Sequence, residues 1–153
     1  MKNIIKTLFV LLGSAIFVPG ALAQETQEEK MEALCQEGNS TACFKVGERF
    51  RVVERDNKKA LAYYIKACGD GYMTGCTNGG LLLALKGTPY SKDFKQPRKM
   101  FDKACEAGED QSCFNLGTLN YKEGRQSKAI KYYKRACEMG NQAGCAKEKR
   151  LKR

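Results

Sequence analysis

Residues 129–145 read AIKYYKRACEMGNQAGC, and residues 60–76 read ALAYYIKACGDGYMTGC. The two stretches share two adjacent tyrosines, an Ala-Cys pair, a glycine three residues after that cysteine, and a closing Gly-Cys pair. Their eight-residue cysteine spacing occurs four times, at Cys35/Cys43, Cys68/Cys76, Cys105/Cys113 and Cys137/Cys145. The first cysteines of successive pairs are 33, 37 and 32 residues apart. A period of this size is typical of helical hairpin repeats.

The segments between the cysteine pairs have the periodicity of amphipathic helices. Leu61, Tyr64, Ile65 and Cys68 follow the i, i+3, i+4, i+7 pattern that places apolar residues on one helical face. Asp56-Asn57, Asp93 and Ser127 are suited to cap the helices that follow them. The sequence therefore predicts an all-α solenoid of stacked helix hairpins, with eight helices near residues 26–37, 40–53, 57–69, 73–86, 95–107, 110–122, 125–139 and 142–151.

The cysteine spacing also predicts the disulfide pairing. In one straight helix, two residues eight positions apart have Cα atoms about 12 Å apart, whereas a disulfide needs roughly 4.4–6.8 Å. The chain must therefore reverse inside each pair, and a glycine such as Gly71 suits the left-handed residue that ends a helix. We expect the four pairs to be structural bridges. Redox and zinc sites are disfavoured because no Cys-x-x-Cys motif occurs and zinc ligands are usually more closely spaced.

The first residues have the layout of a secretory signal peptide. Met1–Ala23 contains Lys2 and Lys6, then the apolar run Leu8–Val18, then an Ala-Leu-Ala cleavage motif. The apolar run is shorter than the roughly 20 residues of a membrane-spanning helix. Cleavage would leave residues 24–153 as one domain of about three repeats with a half-repeat at each end, and no transmembrane segment. We expect export to the periplasm or beyond, where disulfides persist.

Composition limits the chemistry that the chain can perform. The sequence has 153 residues and no histidine, which excludes Ser-His-Asp and Cys-His catalysis and histidine-ligated zinc. The Ser-x-x-Lys, Ser-Asp-Asn and Lys-Thr-Gly motifs of serine β-lactamases are also absent. No catalytic residue, metal ligand or cofactor is predicted.

Positive charge is concentrated at the C-terminal end. The formal net charge is +10; residues 24–120 are balanced, and residues 121–153 carry +8. Lys128, Lys131 and Arg135 lie at i, i+3, i+7 of one predicted helix. This patch could bind an anionic envelope polymer, lipid head groups or an acidic protein. The alternative is a polar solenoid cap, followed by a basic tail from about residue 147. Nucleic acid is not an expected partner of an exported chain without a recognition motif.

A second candidate site follows from the repeat itself. Two residues after each second cysteine stands Lys45, Asn78, Asn115 or Lys147. Equivalent positions of a stacked solenoid form a ladder along one face, and lysine and asparagine can donate to carboxylates or peptide carbonyls. The alternative is an ordinary solvated polar position on each helix.

The combined pattern resembles a known family. The motif Ala-Cys-x-x-Gly … Gly-Cys-x-x-x-Gly, with an upstream Lys-Ala-x-x-Tyr-Tyr, resembles Sel-1-like repeats, which are relatives of the tetratricopeptide repeat. The resemblance covers most of residues 30–146, is best over Gln111–Cys145, and extends to the secreted cysteine-rich proteins of the Helicobacter type. It implies a solenoid with a concave groove, and an association with penicillin binding, weak β-lactamase activity and recognition of cell-wall fragments or peptides.

The function prediction combines these observations. We expect an exported, disulfide-stabilised scaffold that binds a peptide, a protein or a cell-wall-derived ligand in its groove. A weak β-lactamase is the alternative implied by the resemblance.

Overall fold

Eight α-helices make up the fold. A computed structural model describes residues 26–85 and 94–153, and within these residues the only regular elements are helices. The all-α prediction is thus confirmed, while the predicted signal peptide at Met1–Ala23 lies outside the described residues. The helices are α1 Gln27–Gln36, α2 Ser40–Val52, α3 Asn57–Gly69, α4 Met73–Ala84, α5 Lys95–Glu106, α6 Asp110–Lys122, α7 Gln126–Glu138 and α8 Gln142–Leu151.

Each helix packs on the next one in the chain, from α1 to α8. Except between α4 and α5, successive helices are separated by three or four residues, which is typical of antiparallel helix pairs. The helices α4 and α6 run in the same direction, because Thr74 contacts Glu109 and Thr77 contacts Ser112 in the same register. Neighbouring even helices are also linked directly, for example by the buried hydroxyls of Thr77 on α4 and Ser112 on α6, 2.7 Å apart. The result is a stack of hairpins in which equivalent positions recur on successive even helices.

All four disulfides form within the predicted pairs. Their Cα–Cα distances are 4.6 to 4.8 Å, because each pair bridges the turn from an odd helix into the following even helix. The four bridges are Cys35–Cys43, Cys68–Cys76, Cys105–Cys113 and Cys137–Cys145.

The second cysteines of the first three pairs are more deeply buried than the sequence analysis indicated. The sequence identified Cys43, Cys76 and Cys113 only as bridge partners across a turn. In the structure each is 0% exposed and belongs to a hydrophobic core cluster, so these cysteines are core residues as well as bridge partners. Each is the fourth residue of its even helix and is covered by the odd helices that pack on it. Cys145 is only half-buried, because no further odd helix follows α8 within residues 94–153.

A glycine makes each of these turns possible. In the second turn Gly71 adopts φ +93°, and the Tyr72 amide donates to the carbonyl of Ala67 over 2.8 Å. A β-carbon at Gly71 would be strained in this left-handed conformation, which explains the glycine three residues after each first cysteine.

A recurring aromatic residue packs against a recurring glycine. Tyr133 is fully buried, and a β-carbon added to Gly117 would lie only 2.6 Å from its ring. Tyr64 covers Gly47 in the same way in the first repeat. The glycine four residues after each of these second cysteines therefore lets an even helix approach the aromatic ring of the odd helix that follows it.

Of the predicted helix caps, one is confirmed, one is wrong, and Asp93 lies outside the described residues. Asp56 caps α3 as predicted, because its carboxylate accepts from the Lys59 amide at 2.9 Å. Ser127 does not cap α7, since that helix starts at Gln126 and Ser127 already lies in its first turn. Arg125 occupies the cap position without a side-chain hydrogen bond, so α7 depends on packing rather than on a local cap.

Candidate binding groove

The four ladder residues occupy equivalent helix positions in different environments. Lys45 is exposed and lines a cleft of about 170 Å³ with Met31 and other residues of α1 and α2. Lys147 on α8 and Asn78 on α4 are half-buried, and Asn115 on α6 is buried. The described residues therefore do not form a uniform polar ladder.

Asn78 is already engaged within the protein. Its Nδ2 donates to Oε1 of Glu48 on α2 over 2.9 Å. Glu48 also accepts from Nη2 of Arg51 over 2.7 Å and from the hydroxyl of Tyr64. The Arg51 Nε in turn donates to the Tyr64 hydroxyl over 3.0 Å. This network joins α2, α3 and α4, so Asn78 acts as a link between repeats.

The network also fixes the charges of its members. The hydrogen bond from Arg51 holds the pKa of Glu48 below its ordinary value, against an opposing effect of burial. Burial, together with the hydrogen bond to Glu48, raises the pKa of Tyr64 to about 12. At neutral pH Glu48 is therefore a carboxylate and Tyr64 a neutral donor, which is the pair of states that the hydrogen bond needs.

Asn115 has no such carboxylate. Its side chain accepts from Nε2 of Gln111 over 3.2 Å, but its own Nδ2 is buried and has no hydrogen-bond partner within the described residues. Glu48, the partner of Asn78, stands five residues after Cys43 on α2. For Asn115 the equivalent residue of the preceding even helix, five residues after Cys76 on α4, is Leu81. A leucine stands where the previous repeat has the carboxylate acceptor, so the Nδ2 donor of Asn115 has no partner there.

The leftover donor lies at an apolar groove between α4 and α6. The groove encloses about 160 Å³ and is lined by Leu81 of α4 and Leu85 just after it, by Asn115 and Lys122 of α6, and by Phe101 of α5. Asn115 is 8% exposed, whereas Leu81 and Leu85 are 41% and 49% exposed. The sequence analysis did not single out Leu81 or Glu48. Comparing the residue five positions after each second cysteine would have shown that one repeat has a carboxylate there and the next has a leucine.

The structure brings the three residues of the basic patch to one cavity of about 580 Å³, which Tyr132, Lys134 and Glu138 also line. Lys128 and Lys131 are exposed on α7. Arg135 is exposed as well, but its Nη2 donates to the carbonyl of Cys105 at the end of α5 over 3.1 Å. Lys103 does the same one repeat earlier, with its Nζ 2.5 Å from the carbonyl of Cys68. A cation at the carboxyl end of a helix is favourable, so Arg135 helps to hold adjacent repeats together.

The described residues offer little catalytic machinery. Ser112 is fully buried against Thr77, which leaves its hydroxyl out of reach of a substrate. In residues 26–85 and 94–153 there is no cluster of side chains that could hold a metal ion. Over the same ranges, none of the helices has the length and apolar character needed to cross a membrane. The groove between α4 and α6 is lined mainly by apolar side chains, with Asn115, Thr118 and Lys122 as its polar members.

The cysteines add no nucleophile to this surface. All eight are paired in the four bridges. Cys43, Cys76 and Cys113 are also fully buried, so an external thiol has no direct access to the sulfur atoms on that side of the first three bridges. A buried, bridged cysteine has a structural role, because thiol chemistry needs an accessible thiolate.

Comparison with known families agrees with this architecture. The Sel1 repeat model matches residues 40–72, 79–109 and 110–141, which together make up more than half of the chain. The chain belongs to the Sel1 repeat family. Each matched segment combines residues of an even helix with the following odd helix, and the Cys105–Cys113 bridge connects the second matched segment to the third.

Curated relatives share this repeat region. The chain is 28% identical over 130 residues to cytochrome c oxidase assembly factor 7 of Xenopus tropicalis, a match that covers 76% of this chain and 56% of the relative. It is 34% identical over 107 residues to the Danio rerio protein of the same name, covering 62% and 45%. The chain thus spans about half the length of these relatives. A shorter segment of 30 residues is 57% identical to the putative β-lactamase HcpC of Helicobacter pylori, covering 20% and 10%.

Two solved structures share the fold. A Sel1 repeat protein from Oxalobacter formigenes superposes with a TM-score of 0.65 at 20% identity, covering 78% of this chain and 95% of that one. A protective antigen of uropathogenic Escherichia coli with an SLR fold also gives 0.65, at 25% identity, covering 78% and 27%. These likenesses support the solenoid of Sel1 repeats.

Proposed function

We propose that this chain is an exported Sel1 repeat scaffold that binds an extended peptide segment of a partner in the groove between α4 and α6. The observation that carries the proposal is the unpartnered Nδ2 of Asn115 beside exposed Leu81 and Leu85. A Sel1 repeat protein is a framework for protein–protein interaction, and this groove is where the framework has both apolar surface and an unused donor.

The chemistry of the groove describes its ligand. A buried donor without an acceptor costs about 1–3 kcal/mol, and a ligand carbonyl or carboxylate would remove that cost. The apolar wall at Leu81 and Leu85 suits an aliphatic side chain next to that acceptor, and Lys122 at the rim favours an anionic group. The Nδ2 atom is buried in the unbound protein, so binding requires a neighbouring side chain of the groove to move aside.

Export is supported by two features of the chain. Residues 1–23 have the charge and hydropathy pattern of a signal peptide. The four closed disulfides suit an oxidising compartment, since reduced thiols prevail in the cytosol. On this proposal the ligand is a peptide, a protein tail or a cell-wall peptide that is met outside the cytoplasm.

A peptide-binding experiment tests the proposal. Oxidised mature protein is titrated calorimetrically with short peptides that end in leucine, valine or alanine, each with a free or an amidated carboxyl terminus. We expect stoichiometric binding that is stronger for leucine or valine than for alanine, stronger for a free than for an amidated carboxyl terminus, and lost in Leu81→Glu. Equal, weak binding of every peptide by both proteins would contradict a groove at this position.

The same samples separate a scaffold from a hydrolase. We expect no turnover of a chromogenic cephalosporin above the rate in buffer, because the groove has a donor and apolar walls but no activated nucleophile. Multiple turnovers that persist in Leu81→Glu would favour the β-lactamase function instead.

A further inference from the structure

The turn between α1 and α2 contains a glycosylation acceptor sequence. Asn39-Ser40-Thr41 is the only Asn-x-Ser/Thr triplet in the chain. This triplet is the acceptor of N-linked glycans in exported proteins. Glu37 stands two residues earlier, so enzymes that also require an acidic residue there and enzymes that read the triplet alone would both find their pattern in residues 37–41.

The structure leaves the reacting nitrogen of Asn39 available. Asn39 is exposed, and its Oδ1 accepts from the Ala42 amide over 2.9 Å as the cap of α2. Its Nδ2 makes no hydrogen bond among the described residues. Glu37 and Thr41 are exposed on either side, so an enzyme can reach the whole acceptor segment.

The equivalent residue of the last repeat shows that this availability is specific. Asn141 is also a helix cap, with its Oδ1 2.9 Å from the Gly144 amide. However, its Nδ2 donates to Oδ2 of Asp110 on the preceding even helix over 2.8 Å, and the residue is 9% exposed. Asn39 caps the first even helix, so no earlier even helix within the described residues supplies such a carboxylate.

We propose that Asn39 is the acceptor of an N-linked oligosaccharide, transferred from a lipid-pyrophosphate-linked oligosaccharide as the chain is exported. The proposal rests on the export that is part of the proposed function. The Nδ2–C1 bond of the new glycosylamide forms while the bond from C1 to the pyrophosphate oxygen breaks. The pyrophosphate leaves with the bonding electron pair, Nδ2 loses one proton to a base of the transferase, and nothing is oxidised or reduced.

The product is compatible with the fold. Glycosylation leaves the amide carbonyl intact, so Oδ1 can still accept from Ala42 and cap α2. The even helices run parallel, so Asn39 lies where they begin, whereas Leu85 and Lys122 lie where α4 and α6 end. A glycan on Asn39 therefore projects away from the proposed peptide groove and shields the first disulfide turn.

Mass spectrometry of the exported protein tests the proposal. The full chain is produced in a bacterium whose periplasm contains an oligosaccharyltransferase and its lipid-linked oligosaccharide, and the reduced, alkylated tryptic peptide Met31–Lys45 is analysed. We expect this peptide to carry about one glycan on Asn39. Asn39→Asp should abolish the glycan while keeping a helix cap of similar strength, and Thr41→Ala should abolish it with Asn39 still present.

A matched variant tests the role of the free nitrogen. Ala143→Thr places an acceptor triplet at Asn141, but Met139 stands where Asn39 has Glu37. The oxidised variant is therefore treated with a purified transferase that reads the triplet alone, together with lipid-linked oligosaccharide. We expect Asn39 to be modified and Asn141 to remain unmodified. Equal modification of both sites would overturn the argument that the free, exposed Nδ2 decides the acceptor.

The outcome for export is read separately from the same cells. An amino terminus at Gln24 and complete resistance to thiol alkylation establish export and oxidation. An exported, oxidised chain with unmodified Asn39, beside a fully glycosylated reference protein, would overturn this proposal and leave the proposed function standing. A chain retained with its first 23 residues would contradict the export proposal, and the purified-enzyme reaction would still decide whether Asn39 is an acceptor.

Discussion

Nδ2 of Asn78 lies 2.9 Å from Oε1 of Glu48, whereas its repeat counterpart Asn115 lies beside Leu81 and has an unpartnered Nδ2. The two asparagines occupy equivalent positions in the repeat, but the preceding even helix presents Glu48 to Asn78 and Leu81 to Asn115. One therefore holds two repeats together, and the other keeps an unpartnered donor, which we propose that a ligand uses.

Replacing Leu81 by glutamate should abolish peptide binding at the groove between α4 and α6. Leu81→Glu places a carboxylate where Glu48 stands one repeat earlier, so it should accept from Asn115 and leave the melting temperature unchanged or higher. Asn115→Ala should weaken peptide binding about tenfold or more, since a buried hydrogen bond of about 1–3 kcal/mol is lost. Calorimetric titration and thermal melts measure the two effects.

Asn78→Ala is the matched control for that experiment. This substitution removes a donor to Glu48, so we expect it to lower the melting temperature and to leave peptide affinity nearly unchanged. If Asn78→Ala weakened binding as much as Asn115→Ala did, the assignment of the ligand to the α4–α6 groove would be wrong.

Reduction of the disulfides should unfold the protein. Each bridge closes a nine-residue loop, which is worth about 2.6 kcal/mol in the chain-entropy model, so four are worth about 10 kcal/mol. The whole stability of a domain is typically about 5–15 kcal/mol. We expect the cooperative melt, followed by circular dichroism, to disappear in excess reductant. A reduced chain that melts within a few degrees of the oxidised one would refute this.

Acid should weaken the link between the first repeats. The folded pKa of Glu48 is lower than its ordinary value of 4.5, so its contribution is present above pH 4.5 and is lost as pH falls through the folded pKa. The stability difference between wild type and Glu48→Gln, measured by urea unfolding, should therefore shrink below about pH 4.5. The exposed Glu37→Gln serves as the charge control and should show no such convergence.

Adding a β-carbon at Gly117 should destabilise the fold. Gly117→Ala would bring a β-carbon to 2.6 Å from the ring of Tyr133, and overpacking of this kind costs about 1–3 kcal/mol. Gly69→Ala is the control, because its β-carbon meets nothing within 4 Å. We expect urea unfolding to show a lower free energy of unfolding for Gly117→Ala and no change for Gly69→Ala. Equal effects of the two variants would contradict the close packing of Gly117 against the Tyr133 ring.

The fold could be predicted because its determinants are local and repeated. The cysteine spacing required a chain reversal, and the apolar periodicity before Cys68 required a helix. The candidate site was harder to predict. Asn78 and Asn115 look alike along the chain, and Arg135 looks like a free cation until its contact with the carbonyl of Cys105 is seen.

For the cysteines, the disulfide pairing could be predicted from the sequence, but the burial of each side chain could not. Their pairing follows from spacing alone, but the complete burial of Cys43, Cys76 and Cys113 does not. The same spacing at Cys145 gives a half-buried residue, because burial depends on whether another helix of the stack covers the bridge.

The sequence by itself determined the helices, the turns and the four disulfide pairs, because each depends on residues within about ten positions of one another. Only the tertiary structure decided which asparagines are free. Asn78 is bonded to a carboxylate 30 residues away, and Asn141 to one 31 residues away. Asn115 and Asn39 lack such a carboxylate within the described residues. A hydrogen bond depends on distance in space, and stacking of the repeats sets that distance.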